Sequence, residues 1–281
     1  MPRVRMDAVK LIRAGWSYRK VARHTGFSLG AIASWVKKAE PLGHNSLWIP
    51  TQSSRPKHHP RELPWKIVAA IITQRTSRHR CAEVVHRELR NQGITISLSS
   101  VKRVLKRYHL LRERSPWKRP HDATPRPSAA QPGALVEIDT IHIVRPERFY
   151  IYTLLDVCSR WAYAEVFARL AVTSTLRFVT QAQQQSPFPF TSLQSDHGPE
   201  FSQGFTLQVG LPHRHIRVRQ PNDNAHLERF NRTLQEECFR YVRSTPRHYQ
   251  AALREYLPYY NNERLHLGLN FKTPLEVFTS Y

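Results

Sequence analysis

Cysteine is scarce in this chain, with only Cys81, Cys158 and Cys238. They are isolated, odd in number and form no Cys-x-x-Cys pair, which excludes a disulfide framework and a thiolate zinc site and fits a reducing compartment. No apolar run approaches the roughly 20 residues of a membrane span. The start, Met1-Pro2-Arg3-Val4-Arg5-Met6-Asp7, has no signal-peptide core. The expectation is a soluble cytoplasmic protein with no membrane partner. Acidic residues are missing from one half: residues 1–133 hold 7 against 27 Lys and Arg, a balance of +20, while residues 134–281 hold 14 against 16, a balance of +2. Such a gradient is expected when one half grips a polyanion through counterion release and the other half does chemistry on it. A membrane surface or a ribosome would also attract basic charge, but nucleic acid is the leading partner.

The chain's length of 281 residues allows about two to three compact domains. Residues 1–40 read as three helices, Asp7 to Ala14, Tyr18 to His24 and Leu29 to Lys38, with Thr25-Gly26-Phe27-Ser28 as the turn of a helix-turn-helix. In the third, Ile32, Trp35 or Val36, and Ala39 suit a core, while Ser34, Lys37 and Lys38 stay outside as candidate DNA contacts; Ser28 is the expected N-cap. Residues 41–60 read as a linker. Residues 61–111 then repeat the grammar as a second, winged-helix-like unit with helices Glu62 to Arg75, His79 to Gln92 and Leu98 to Tyr108. Val101, Val104, Leu105 and Tyr108 make its apolar stripe, Ser97 its cap, and Lys102, Arg103, Lys106 and Arg107 its candidate DNA-facing surface. A plain helical packing module or a solvated basic helix would show the same patterns. Residues 112–133, carrying five prolines, read as a semi-extended linker that lets the DNA-binding and chemical parts sit at different places along a duplex.

From residue 134 to 281 the period changes to two. Strands at 135–144, Phe149 to Val157 and Trp161 to Phe167 make an antiparallel meander, followed by a helix at Thr173 to Gln185, a strand at 190–195, a helix near Phe201 to Val209, a short strand at 213–218 and a helix around Glu228. The predicted fold is α/β: a mixed five-stranded sheet with flanking helices, strand one central, preceded by two all-α units. Three acids stand in three different settings. Asp139 interrupts an apolar strand, where Asp is out of character. Asp196 ends a strand and enters the turn His197-Gly198-Pro199, where open α/β sheets present ligand groups. Glu228 shares a polar helix face with Asn231, Arg232 and Gln235, opposite Leu227, Phe230 and Leu234. Three carboxylates suffice for two hard divalent cations, Mg²⁺ or Mn²⁺.

Five segments carry a resemblance: Ile138-Asp139-Thr140; Leu155 to Arg160; Ser195-Asp196-His197-Gly198-Pro199-Glu200-Phe201; Asn224 to Leu234; and Tyr260 to Leu269 followed by Thr273-Pro274-Leu275-Glu276. In order and spacing they resemble the DDE transposases and integrases of the retroviral-integrase superfamily, especially bacterial insertion-sequence transposases with an RNase H-like core. The resemblance covers 134–281 and implies Asp139, Asp196 and Glu228 as ligands of two Mg²⁺ or Mn²⁺ ions, with no other cofactor. It implies double-stranded DNA, both element ends and target, as substrate, strand cleavage and strand transfer as chemistry, a homodimer or larger assembly, and a nucleoid-associated location. Asp156 is the tempting fourth acid and is read as structural, pairing with Arg160. Asn231 and Arg232 are expected to reach DNA or orient the carboxylate. His197 stands where the family often has Asn, and the stretch between Asp196 and Glu228, with its loop Arg219 to Asp223, is shorter than usual. The zinc-binding N-terminal domain of retroviral type is absent, since His58, His59 and Cys81 lack a Cys pair. The competing expectations are a catalytically silent DNA-binding and dimerisation regulator, and an RNA:DNA hybrid nuclease, to which two helix-turn-helix units are poorly suited.

Overall fold

Helical periodicity in the basic half and strand periodicity in the rest become distinct sets of elements. The computed structural model describes residues 2–43, 46–51, 53, 62–78, 80–111, 126–217 and 221–281, in two compact units divided between Glu62 and Leu63. The first unit holds α1 (Pro2–Arg13), α2 (Tyr18–Thr25) and α3 (Leu29–Ala39). Ser17 and Ser28 accept from the N–H groups of Lys20 and Ala31, capping α2 and α3. Ile32 and Val21 are fully buried between the helices, and Trp35 packs edge-on to Phe27. The linker expected at 41–60 is partly core, because Ile49 is 1% exposed and packs with Met6, Val9 and Ala39. The rest of that stretch includes residues outside those described.

The second unit opens with α4 (Trp65–Arg78), α5 (Ala82–Asn91) and α6 (Leu98–Arg107). Ser97 caps α6 as expected, and Val101, Val104 and Leu105 are buried; Tyr108, assigned to the same stripe, is instead 40% exposed just past the helix end. Among the described residues of 63–111 there is no strand. This bundle is not on a free tether. Arg80, between α4 and α5, is 3% exposed; it donates to the Tyr259 hydroxyl and lies 3.7 Å from Glu237, both on the C-terminal side of the chain.

The sheet contains β1 (Val136–Ile143), β2 (Phe149–Asp156), β3 (Ala162–Phe167), β4 (Leu193–Ser195) and β5 (His213–His215), in the order β3-β2-β1-β4-β5. The first three are an antiparallel meander; β4 and β5 join parallel, leaving β1 central as predicted. β4 and β5 are shorter than expected because Phe190 enters the core as coil and the chain leaves β5 after His215. Helices α7 (Val172–Gln185) and α8 (Gln203–Gln208) cover one face, where Val136, Ile138, Tyr152 and Phe178 pack. Helices α9 (Ala225–Thr233) and α10 (Pro246–Asn262) cover the other, where Ile151, Leu155, Phe230 and Tyr260 pack. A short α11 (Pro274–Phe278), opened by a capping box at Thr273 and Glu276, ends the unit. Each fully buried Phe or Ile contributes about 1.5–3 kcal/mol, so the sheet is clamped from both sides.

The end of the second expected linker is docked as well. Residues 112–125 lie outside those described, but Gly133 donates to Asp156 and accepts from Thr191. Gly133 has φ +79, and a Cβ there would stand 2.0 Å from the Pro189 carbonyl oxygen, so both conformation and space demand glycine.

Candidate active site

Alternation along β1 sends Val136 and Ile138 toward α7 and turns Glu137 and Asp139 toward α9. Parallel pairing of β1 with β4 ends at Ile138 opposite Ser195, so Asp139 and Asp196 are the next residues on adjacent strands. Half-buried Asp139 accepts from its neighbour Thr140 N–H at 2.7 Å and from Asn231 Nδ2 at 2.8 Å. Burial, opposed by the Thr140 N–H and reinforced by the charges of Asp196, Glu200 and Glu228, pushes its carboxyl up to about 6. Asp196 Oδ1 accepts from Gly198 N–H at 2.9 Å, and its carbonyl accepts from Ser195 Oγ and His215 Nδ1, both at 2.8 Å. His197 donates to the Ile216 carbonyl and stacks on His215 with ring centroids 4.8 Å apart, so its role in the turn is to brace β5. Glu228 is exposed on the first turn of α9.

The helix carrying Glu228 is pinned by residues that the sequence did not flag. Glu137, fully buried, accepts from Leu227 N–H at 2.8 Å, immediately before Glu228. Burial, opposed by that N–H, raises its carboxyl to about 8. Gln194 on β4 donates to the Asp223 carbonyl at 2.6 Å, and Asp223 holds Arg217 through both carboxylate oxygens. The loop expected before Glu228 is therefore a short 3₁₀ turn, Pro221–Asn224, anchored to the sheet; Arg219 and Gln220 lie outside the described residues. The available signal for Glu137 was its period: it lies two residues before Asp139 and shares its face.

Arg160 bonds to Asp156 through its backbone N–H, which donates to the Asp156 carbonyl at 2.9 Å, while the fully buried Asp156 carboxylate has other partners. It accepts from Ser159 N–H and Oγ, both at 2.6 Å, and from Gly133 N–H at 2.9 Å. The Arg160 guanidinium instead donates to the Val157 carbonyl. Asn231 is 9% exposed and spends its amide on Asp139, so of its two expected roles the geometry favours orienting the carboxylate over reaching DNA. Arg232 is exposed, as are Ser34, Lys37 and Lys38 on α3 and Lys102, Arg103, Lys106 and Arg107 on α6; Lys102 holds Glu83 at 2.7 Å. A cavity of about 310 Å³ lined by Arg126, Arg214, Arg217 and His215 opens next to the Asp196 strand.

Asp139, Asp196 and Glu228 offer hard oxygen donors, the ligand type that Mg²⁺ and Mn²⁺ prefer. Among the described residues none of them is in an ion pair. The nearby Glu200 carboxylate also has a buried oxygen without a partner. The donor set thus fits a divalent cation, although no three described His, Cys, Asp or Glu side chains stand as a ready-made cluster.

Residues 129–221 and 209–274 match two family profiles, each described as an integrase core domain. The chain is 25% identical over 240 residues to the transposase for insertion sequence element IS904 of Lactococcus lactis subsp. lactis (strain IL1403), a match covering 76% of this chain and 92% of that protein. It is also 25% identical over 160 residues to an ORF3 product of Spiroplasma virus SpV1-C74 named as an integrase, covering 48% of this chain and 43% of that one, so it spans less than half of that relative. Its fold is similar to a chain of the simian T-cell lymphotropic virus intasome solved with PP2A regulatory subunit B56 gamma, with a TM-score of 0.50 and 16% identity over 75% of this chain and 74% of that chain. Two integrase core domain profiles together match residues 129–274, over a mixed five-stranded sheet, so the chain carries an integrase core and is similar to insertion-sequence transposases.

Proposed function

We propose that this protein is a DNA transposase that binds the ends of its own element, cleaves them and joins the freed 3′ ends to target DNA at one site built on Asp139, Asp196 and Glu228. What supports this reading is that β1, the end of β4 and α9 bring Asp139 under the charges of Asp196 and Glu228, and that none of the three is in an ion pair among the described residues. Asp139, Asp196 and Glu228 would hold two Mg²⁺ or Mn²⁺ ions. Bound there, such a pair supplies an activated oxygen nucleophile on one side of a phosphodiester and charge neutralisation for the departing oxygen on the other.

The chain's own residues set the geometry. Asn231 holds Asp139 in one orientation, and Glu137 with Gln194 fixes the start of α9, so that Glu228 is presented from a rigid element. In cleavage, water attacks phosphorus, the bond to the 3′ oxygen breaks and that oxygen leaves protonated as a 3′-hydroxyl. In joining, the 3′-hydroxyl attacks a target phosphodiester, a new P–O bond replaces the target's own bond to its 3′ oxygen, and the released hydroxyl takes the proton. Both steps are in-line displacements at phosphorus and suit one site. The exposed basic faces of α3 and α6, with Arg232 on α9, supply the grip on duplex DNA, and a dimer or larger assembly brings two ends to one target.

Supercoiled plasmid incubated with the full chain and Mn²⁺ tests the reading. Nicking by the wild type, abolished in Asp196→Asn, is the expected result; equal nicking by both proteins would overturn it.

A further inference from the structure

One acid at this site has no place in the triad. Glu200 follows Asp196 by four residues, and its backbone turns in a 3₁₀ segment, Pro199–Phe201, that drives Phe201 into the core. Thr175 Oγ1 on α7 donates to the Glu200 carbonyl at 3.1 Å and fixes the turn. The Glu200 side chain does not point to solvent. It is 4% exposed, and its Oε2 has no hydrogen-bond partner.

Gly198 shows where that oxygen lies. Its φ is −59, a value open to any residue, so conformation does not call for glycine. Space does: a Cβ at Gly198 would stand 2.5 Å from Glu200 Oε2 and 3.1 Å from Asp196 Oδ1. The missing side chain lets the Glu200 carboxylate lie against the turn that presents Asp196. Its charge is also among those that Asp139 feels. A buried carboxylate oxygen with nothing to accept from is costly unless a cation, or water held by one, faces it.

We infer that Glu200 is a fourth carboxylate of the cation site, set behind the Asp196 turn, whose negative charge strengthens divalent-ion binding. The inference rests on the two-ion reading of Asp139, Asp196 and Glu228. It assigns Glu200 a positioning and charge role: it places no bond to DNA on this residue.

Calorimetric titration of the full chain with Mn²⁺, without DNA, tests it, together with thermal unfolding with and without the ion. Glu200→Gln should weaken Mn²⁺ binding about tenfold or more, the scale on which groups around metal ligands act. The melting temperature without metal should stay level or rise, since an unpartnered charge is removed. Glu200→Asp, which keeps the charge, should recover part of the affinity and serves in place of the Gln variant if that one fails to fold. Wild-type affinity in Glu200→Gln, or in Glu200→Asp no better than a misfolded control, would overturn the inference while wild-type binding leaves the triad standing. Absence of Mn²⁺ binding in the wild type would overturn both.

Discussion

Asp156 and His266, a buried acid and a buried base outside the triad, show how burial alone misleads. Asp156 sits in the strand beside Asp139 and is fully buried, yet its carboxylate is taken up by Ser159, close in the chain, and by Gly133, 23 residues away. Removing it as Asp156→Ala strands those donors and should cost about 3 kcal/mol or more, read as a lower urea midpoint; Asp139→Asn should leave that midpoint level or raised. An unchanged midpoint for Asp156→Ala would contradict its structural role. His266 gives the pH counterpart. Burial, aided by Arg264 and Arg80, holds its imidazole down at about 2 against an ordinary 6.5. Below 6.5 the unfolded chain takes up a proton that the native chain refuses, so stability from this group is lost as pH falls through 6.5 and rises with pH from about 2 to 6.5. His266→Gln should flatten the pH dependence of urea stability by at most about 1.4 kcal/mol per pH unit in that window; an unchanged slope would count against it.

Strands and helices were largely legible where one period runs uninterrupted. The meander, the central β1 and the meeting of Asp139 with Asp196 follow from alternation in 135–157 and from an acid where an apolar residue belongs. What sequence could not show depends on partners distant in the chain. Nothing local says that Glu137 receives a helix N–H from Leu227, that Asn231 faces inward, or that Ile49 leaves a linker for a core. The segment Tyr260-Asn261-Asn262 resembled a family motif without an evident task, and the structure supplies one. β3 is a sheet edge, and Asn261 on α10 both donates to and accepts from Ala162 at 2.9 Å, while Gln250 accepts from Val166 N–H at 2.9 Å. These amides act as a substitute strand and cover the open edge. Asn261→Ala leaves the backbone groups of a fully buried Ala162 unpaired and should cost about 2–4 kcal/mol; Asn261→Asp, keeping only the acceptor, should lose less. Equal midpoints for all three proteins in urea would refute the capping role.

At the scale of the molecule, a buried ionic network joins the α4–α6 bundle to the half that carries the candidate site. Arg264 holds Glu237 at 2.7 and 3.1 Å, Tyr256 donates to Glu237 at 2.7 Å, and Arg80 approaches from the bundle. Burial raises the Glu237 carboxyl, but the Arg264 hydrogen bond, the Arg264 and Arg80 charges and the Tyr256 hydroxyl together outweigh it and leave it below its ordinary value. That sign makes its contribution present above the unfolded value of 4.5 and lost as pH falls below it. Glu237→Ala strands Arg264 and should cost about 3–5 kcal/mol. Arg80→Ala leaves that pair intact and should instead expose the junction to limited proteolysis; an unchanged cleavage pattern would deny Arg80 its docking role. The bundle is therefore fixed to the half of the chain that carries the candidate site. The most direct test of the proposed function is joining to target DNA, by Asp139→Asn in Mg²⁺, of DNA ends that the wild-type chain binds. Loss of joined product with end binding retained in a mobility-shift assay is the predicted result, and joining at the wild-type level would contradict the account.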